Sequence, residues 1–237
     1  MPSKNKVLII IPALNESAVV GKVVRNVIAA GYSHVVVVDD YSDDRTAEEA
    51  REAGATVISP IERLGAWGAS QVGLRYAVRK GFRLAVTIDA DGQHSAEDID
   101  VLLKDISDRV NVVIGADPSR GSLARKVAWM LLRHLSGLDL SDITSGFRAY
   151  DRLAIRRLAA WPATLVEYQD IGILLALQKY GLGISEVPVR MAPREDGISR
   201  VFSSWTAVFY YMAHTCLLSV SKRVRKRTGN TAQLETN

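Results

Sequence analysis

The chain opens on an uninterrupted apolar run at residues 7–11, broken at Pro12. A strand covered on both faces reads this way, because neither side meets water. Apolar residues then fall at 20, 23, 24, 27 and 28, which is helical spacing. A helix is predicted from Ser17, a capping residue type, to about Ala30, with Gly31 as its stop. The alternation repeats. Strands are predicted at 35–38, 56–58, 84–88 and 112–114, and helices at 46–53, at 66–80 and after Ser95. Strands alternating with helices predict an α/β fold with a mostly parallel central sheet and helices on both faces. The second half is less regular, with helical patterns at 123–135, 152–160 and 170–180 and strand-like ones at 145–150 and 184–191. Pro188 marks the last of these as an edge. A polar loop at 194–200 precedes a long helix candidate at 204–227. The pattern predicts one globular domain at 1–201, then an amphipathic helix and basic tail at 202–237.

Composition narrows the class. Of 237 residues, 48% are hydrophobic and 24% charged, which excludes disorder and collagen-like repeats. The lone cysteine, Cys216, excludes an internal disulfide and a Cys-rich zinc site. The first ten residues carry no signal-peptide pattern, so a cytoplasmic setting is expected. The net charge of +4 is unevenly placed. Lys222, Arg223, Arg225, Lys226 and Arg227 are followed by a single acid, Glu235, which leaves 1–221 formally neutral.

In open α/β sheets ligands sit at the carboxyl ends of the strands. Here those ends carry Asn15 and Glu16, Asp39 and Asp40, Asp89 and Asp91, and Asp117. Gly65, Gly68 and Gly73 have the wrong spacing for a dinucleotide fingerprint, and no Gly-Lys-Ser/Thr exists for a P-loop. A diphosphate bound here needs another counter-charge. In Asp89-Ala90-Asp91-Gly92-Gln93-His94, two carboxylates one residue apart repel unless they share a cation. Hard oxygen donors suit Mg²⁺ or Mn²⁺ held jointly with a diphosphate. Gln93 or His94 could complete the shell, His94 favouring Mn²⁺. The plainer alternative is a solvated acidic turn capping the next helix.

With that motif the chain resembles the family 2 glycosyltransferases of the GT-A fold. Pro12-Ala13-Leu14-Asn15-Glu16 resembles the family's Pro-x-x-Asn-Glu turn, and 36–46 its Val-Val-Asp-Asp-x-Ser-x-Asp-x-Thr segment. Asp89 to His94 is similar to the Asp-x-Asp motif of the polyprenyl-phosphate sugar transferases, the dolichol-phosphate mannose synthase-like subfamily. Val113-Ile114-Gly115, the stretch from Asp142 through Ser145-Gly146-Phe147-Arg148 to Tyr150, Glu186-Val187-Pro188-Val189 and Arg194-x-x-Gly197-x-Ser199-Arg200 follow in that subfamily's order. The resemblance spans about residues 6–201.

The resemblance implies a nucleotide-sugar-binding set of Pro12, Ala13, Leu14, Glu16, Asp39, Asp40, Asp89, Ala90 and Asp91. Within it Asp40 would contact the base, and Asp39 the same pocket. Asp89, Asp91 and Gln93 would hold the metal and diphosphate, screening the leaving group as its charge develops. A phosphate acceptor is already ionised and needs only cations to place it, for which Arg125, Arg148, Arg194 and Arg200 are candidates, with Ser199 as a donor. A hydroxyl acceptor needs a base, and Asp170 sits where other family 2 enzymes keep a catalytic acid. Its plainer role is a helix cap. Asp91 and Asp170 are thus the catalytic candidates. Two departures stand out. The subfamily's Ser-Arg after Gly115 is Ala116-Asp117, a lost cation that Arg120 could replace, and the closing lysine is Arg200.

Residues 203–221 contain no charged side chain but include Trp205, Tyr210 and Tyr211, and the basic cluster follows at once. Polar interruptions keep the stretch short of a membrane span. It reads as an interfacial helix on an anionic membrane surface, placing the protein peripherally on the inner face of the cell membrane. The alternative is packing against its own domain or a homodimer partner. No nucleic-acid-binding motif is present. The expected function is metal-dependent, inverting transfer of a sugar from a UDP- or GDP-sugar to polyprenyl phosphate. The alternatives are a soluble hydroxyl acceptor with Asp170 as base, or an inactive sugar-nucleotide-binding module.

Overall fold

In the computed structural model, residues 3–117, 140–142, 145–160, 163 and 171–192 are described. The chain divides into two compact units, Met1–Arg120 with Ser141–Gly197, and Gly121–Leu140 with Ile198–Asn237. The first holds everything that follows.

The apolar runs form a seven-stranded sheet ordered β3-β2-β1-β4-β6-β5-β7. Its strands are β1 (Val7–Ala13), β2 (His34–Asp39), β3 (Thr56–Ile58), β4 (Leu84–Thr87), β5 (Val112–Ala116), β6 (Arg148–Tyr150) and β7 (Ile184–Pro188). All pairings are parallel except those of β6, which runs antiparallel between β4 and β5. Three residues carry too little pattern to announce a direction, so only pairing reveals this reversal. Pro188 ends β7 on the sheet's edge, as expected. β1 passes through Pro12 to Ala13 rather than stopping there. Its register with β4 ends at Ile10 while that with β2 runs on to Asp39, so a residue without an N–H is tolerated beyond the two-sided part of the ladder.

Six α-helices flank the sheet among the described residues: α1 (Val20–Ala29), α2 (Thr46–Glu52), α3 (Gly65–Lys80), α4 (Ile99–Asp105), α5 (Arg152–Ala159) and α6 (Ile171–Lys179). Successive strand residues point to opposite faces. Val7, Ile9 and Ile11 share one core with Val20, Val24 and Val27 of α1 and Ile99 and Leu102 of α4. Each such burial contributes about 1.5–3 kcal/mol. The opposite face receives α3, so closely that a Cβ on Gly73 would lie 2.3 Å from Ile10 Cγ2. From α3, Gln71 Nε2 donates to the Leu158 carbonyl at 2.8 Å and Arg75 Nε to that of Ala159 at 3.1 Å, satisfying the C-terminal end of α5. No helix among the described residues is long and apolar enough to cross a membrane. The expected C-terminal amphipathic helix lies outside the described residues.

Candidate active site

The first surprise is at Ser17, which does not cap α1. The helix begins at Val20, its first turn closed by Glu16, whose carbonyl accepts from the amides of Val19 and Val20. The reason is a lattice between the β1–α1 and β2–α2 loops. Asn15 N donates to Ser42 Oγ at 2.9 Å, and Asn15 Oδ1 accepts from Asp43 N at 3.0 Å. Glu16 N donates to Thr46 Oγ1 at 2.8 Å, and Ser17 N to Asp44 Oδ2 at 3.2 Å. Burial pushes the Asp44 carboxyl up, but hydrogen bonds from Thr46 and Ser17 outweigh it, and its pKa lies below the ordinary value. Asn15 and Tyr41, with φ of 54° and 67°, are the two left-handed non-glycine residues among those described. Tyr41 is also exposed. For a bulky side chain that conformation costs on the order of 1 kcal/mol, and both strained residues flank one mouth.

Within that mouth the two adjacent aspartates have different work. Asp40 spends both oxygens on the start of α3, accepting from Leu64 N at 2.7 Å and Gly65 N at 2.9 Å. Asp39, only 6% exposed, has its Oδ1 buried without a partner among the described residues. Its Oδ2 has a marginal 3.5 Å contact from Ser59 Oγ. A buried anionic acceptor left bare is costly unless something arrives to donate. The resemblance pointed to Asp40 for a base; the geometry leaves Asp39 as the aspartate with an unused oxygen.

Asp39 ends β2, and Asp89 follows β4, with β1 between them. Two strand spacings separate such ends by about 10 Å. Beyond β4, Gly92 takes a φ of 75°, which turns the loop back on itself, and Gln93 N donates to Asp91 Oδ1 at 3.1 Å. His94 Nε2 lies 3.2 Å from Asp89 Oδ2, and the His94 ring packs on Phe147 with centroids 4.8 Å apart. Beneath Asp89 runs the segment 145–148. Thr87 Oγ1 donates to the Gly146 carbonyl at 2.7 Å, and Gly115 N to that of Phe147 at 2.9 Å. A Cβ on Gly146 would lie 2.4 Å from Asp89 Oδ1, so only glycine leaves that carboxylate its place.

Whether these residues suit a divalent cation turns on the donor set. Among the described residues no three His, Cys, Asp or Glu side chains gather into a metal site. Asp89 and Asp91 instead offer partly exposed oxygen donors at a strand end, and Gly146 clears a slot for one of them. Such an incomplete hard-donor set fits an ion whose remaining ligands are phosphate oxygens and water.

The other expected residues fall as follows. Pro12, Ala13, Leu14 and Glu16 lie at the β1 end of the same mouth, and Ala90 is buried within the Asp89–Asp91 turn. Gln93 is buried, its carbonyl accepting from Ala192 N at 2.8 Å. Arg148, expected near an acceptor phosphate, is fully buried in β6 and donates from Nε to the Ser145 carbonyl at 2.8 Å. Asp117, where the subfamily has arginine, accepts from Met191 N at 3.1 Å. Arg120, Arg125, Asp170, Arg194, Ser199 and Arg200 lie outside the described residues. Thr87 and Gly146 as props of Asp89 were missed, because a side chain buried in a sheet and a missing Cβ leave no chemical mark in a sequence.

The comparisons agree with this arrangement. The family model described as Glycosyl transferase family 2 matches residues 8–159. The polyprenol monophosphomannose synthase of Mycolicibacterium smegmatis is 29% identical over 220 residues, covering 84% of this chain and 82% of the relative. The undecaprenyl-phosphate mannosyltransferase of Micrococcus luteus is 31% identical over 217 residues, covering 83% and 87%. Among solved structures, glucosyl-3-phosphoglycerate synthase from Mycobacterium tuberculosis, in complex with Mn²⁺, uridine diphosphate and phosphoglyceric acid, superposes with a TM-score of 0.69 at 22% identity. That match covers 92% of this chain and 78% of the other and establishes the shared GT-A fold. With the matched region running from β1 to the end of α5, and so through both acidic strand ends, the chain belongs to glycosyl transferase family 2 and is a glycosyltransferase.

Proposed function

We propose that the protein transfers a sugar from a uridine diphosphate sugar to polyprenyl phosphate, with inversion at the anomeric carbon and a divalent metal as cofactor. The observation that carries the donor is the bare, buried Oδ1 of Asp39. Uracil offers one N–H between two carbonyls, which one acceptor oxygen satisfies. Guanine offers two donors side by side, which two oxygens match best, whereas of Asp39 and Asp40 only Oδ1 of Asp39 has no partner among the described residues. Here Ser59 lies against Oδ2 of Asp39, and Asp40 is occupied by backbone amides.

The diphosphate then extends over β1 toward Asp89 and Asp91. These carboxylates would hold Mg²⁺ or Mn²⁺, which when bound neutralises charge developing on the leaving diphosphate. The solved relative in complex with Mn²⁺ and uridine diphosphate supports this reading. The names of the curated relatives support the acceptor. A lipid phosphate is already ionised near neutral pH, so its oxygen attacks the anomeric carbon without a general base as the nucleoside diphosphate departs from the opposite face. One displacement inverts the centre. The aromatic stretch and basic cluster at the carboxyl end would bring the enzyme to the inner membrane face where such a lipid lies.

The test is transfer from UDP- and GDP-sugars to a short polyprenyl phosphate with Mg²⁺ or Mn²⁺, with the product anomer assigned by NMR. Inverted lipid-phosphate product from a UDP-sugar, abolished by EDTA, is expected. Absence of product with every lipid phosphate would overturn the acceptor, and preference for GDP-sugars would overturn the base.

A further inference from the structure

We infer that His94 is a positioning residue that fixes the rotamer of Asp89 for the cation rather than a ligand to it. The inference rests on the metal reading given above. Its basis is a clamp closed from two sides.

On one side, His94 Nε2 sits 3.2 Å from Asp89 Oδ2, with the imidazole only 1% exposed and packed on the Phe147 ring. On the other, the absent Cβ of Gly146 makes a slot for Asp89 Oδ1, and any side chain there would begin 2.4 Å from it. A free aspartate samples several staggered rotamers. One oxygen tied to a buried ring and the other lodged against a glycine leave a single arrangement.

The tautomer follows from burial. His94 Nδ1 is buried with no hydrogen-bond partner among the described residues. An orphaned buried N–H is rarer than an orphaned lone pair, so the ring proton belongs on Nε2. There it donates to Asp89 Oδ2 at 3.2 Å and fixes the place of that oxygen. A ring whose Nε2 is engaged this way, and whose Nδ1 is sealed from solvent, has no nitrogen to offer an ion. The arrangement also explains why histidine follows Gln93. From that position the ring reaches back over the loop to the first aspartate while Phe147 packs against it.

Outer partners of metal ligands typically govern affinity by about 10- to 100-fold. The test is Mn²⁺ binding to the full-length protein in the presence of UDP, read by electron paramagnetic resonance, for wild type, His94→Leu, His94→Gln and His94→Asn. Gln places an amide N–H near the position of Nε2, whereas Asn stops short. His94→Leu and His94→Asn are expected to weaken Mn²⁺ binding about 10- to 100-fold, and His94→Gln to restore most of it. UDP binding in EDTA should match wild type in all three. In turnover, the metal concentration for half-maximal rate should rise while kcat at saturating metal changes little. Equal loss in Gln and Leu would make the ring a ligand or a packing element and overturn the inference. So would unchanged affinity in Leu and Asn. If His94→Leu does not fold, the Gln and Asn pair decides. A wild-type protein that takes up no Mn²⁺ with UDP brings down the metal reading, and the inference with it. Wild-type uptake with indifferent variants brings down the inference alone.

Discussion

Replacing Asp39 should leave the empty protein nearly unchanged while harming its complex, a separation that few residues can produce. The residue is only 6% exposed, and Oδ1 has no partner among the described residues. Leaving such a group unsatisfied costs about 1–3 kcal/mol. Asp39→Ala removes that burden but leaves a small void, so the ligand-free protein should change by no more than about 1 kcal/mol in either direction. The complex loses a hydrogen bond to a charged group, about 1.5–3 kcal/mol. At about 1.4 kcal/mol per decade, UDP should bind roughly 10- to 150-fold more weakly. Asp39→Asn keeps an acceptor oxygen without its charge, so its affinity should fall between the two. Isothermal titration with UDP and urea unfolding without ligand measure the two quantities separately. The reasoning fails if Asp39→Ala binds UDP like wild type. It also fails if the variant loses several kcal/mol when empty, for then Oδ1 has a structural partner.

Asp40→Ala should behave in the opposite way. Losing two backbone partners at the start of α3 should cost about 2–4 kcal/mol in urea unfolding, with UDP affinity altered only through that loss. Gly146→Ala should fold yet show a strongly raised metal requirement, because its Cβ would displace Asp89; a wild-type metal titration would refute the slot. The acid limb of stability reports on Asp100. Burial pushes its carboxyl up, but hydrogen bonds from Lys4 and Tyr32, each at 2.7 Å, hold it lower still, below the ordinary value. That contribution is present above the unfolded carboxylate value, near pH 4, and fades as pH falls through the folded one. Asp100→Asn should therefore flatten the loss of stability below about pH 4, and an unchanged acid limb would contradict the assignment. Asp170→Asn should be nearly silent with a phosphate acceptor; a drop of about 100-fold would make the acceptor a hydroxyl.

The alternation of strands and helices, and with it the sheet and its acidic edge, was legible in the sequence because period and burial are coupled locally. The runs at β1, β2 and β3 and the helical spacing of α1 and α3 needed no partner to be read. The Asp89–Asp91 pair was legible as a cation candidate for a similar reason: its spacing and its place after a strand are local, although an acidic helix-capping turn has the same pattern. Tertiary structure decided what local pattern does not encode. It set the reversed strand β6 between β4 and β5, and it delayed α1 to Val20 by tying Ser17 to Asp44. It also separated neighbouring aspartates, engaging Asp40 at the start of α3 and leaving Oδ1 of Asp39 without a partner among the described residues. Adjacent residues of one type are indistinguishable until the backbone amides of Leu64 and Gly65, far along the chain, come to one of them. The same holds for Gly146, which lies against Asp89 because β4 and β6 are hydrogen-bonded neighbours. Periodicity is a property of the chain, whereas an unpaired oxygen is a property of everything around it.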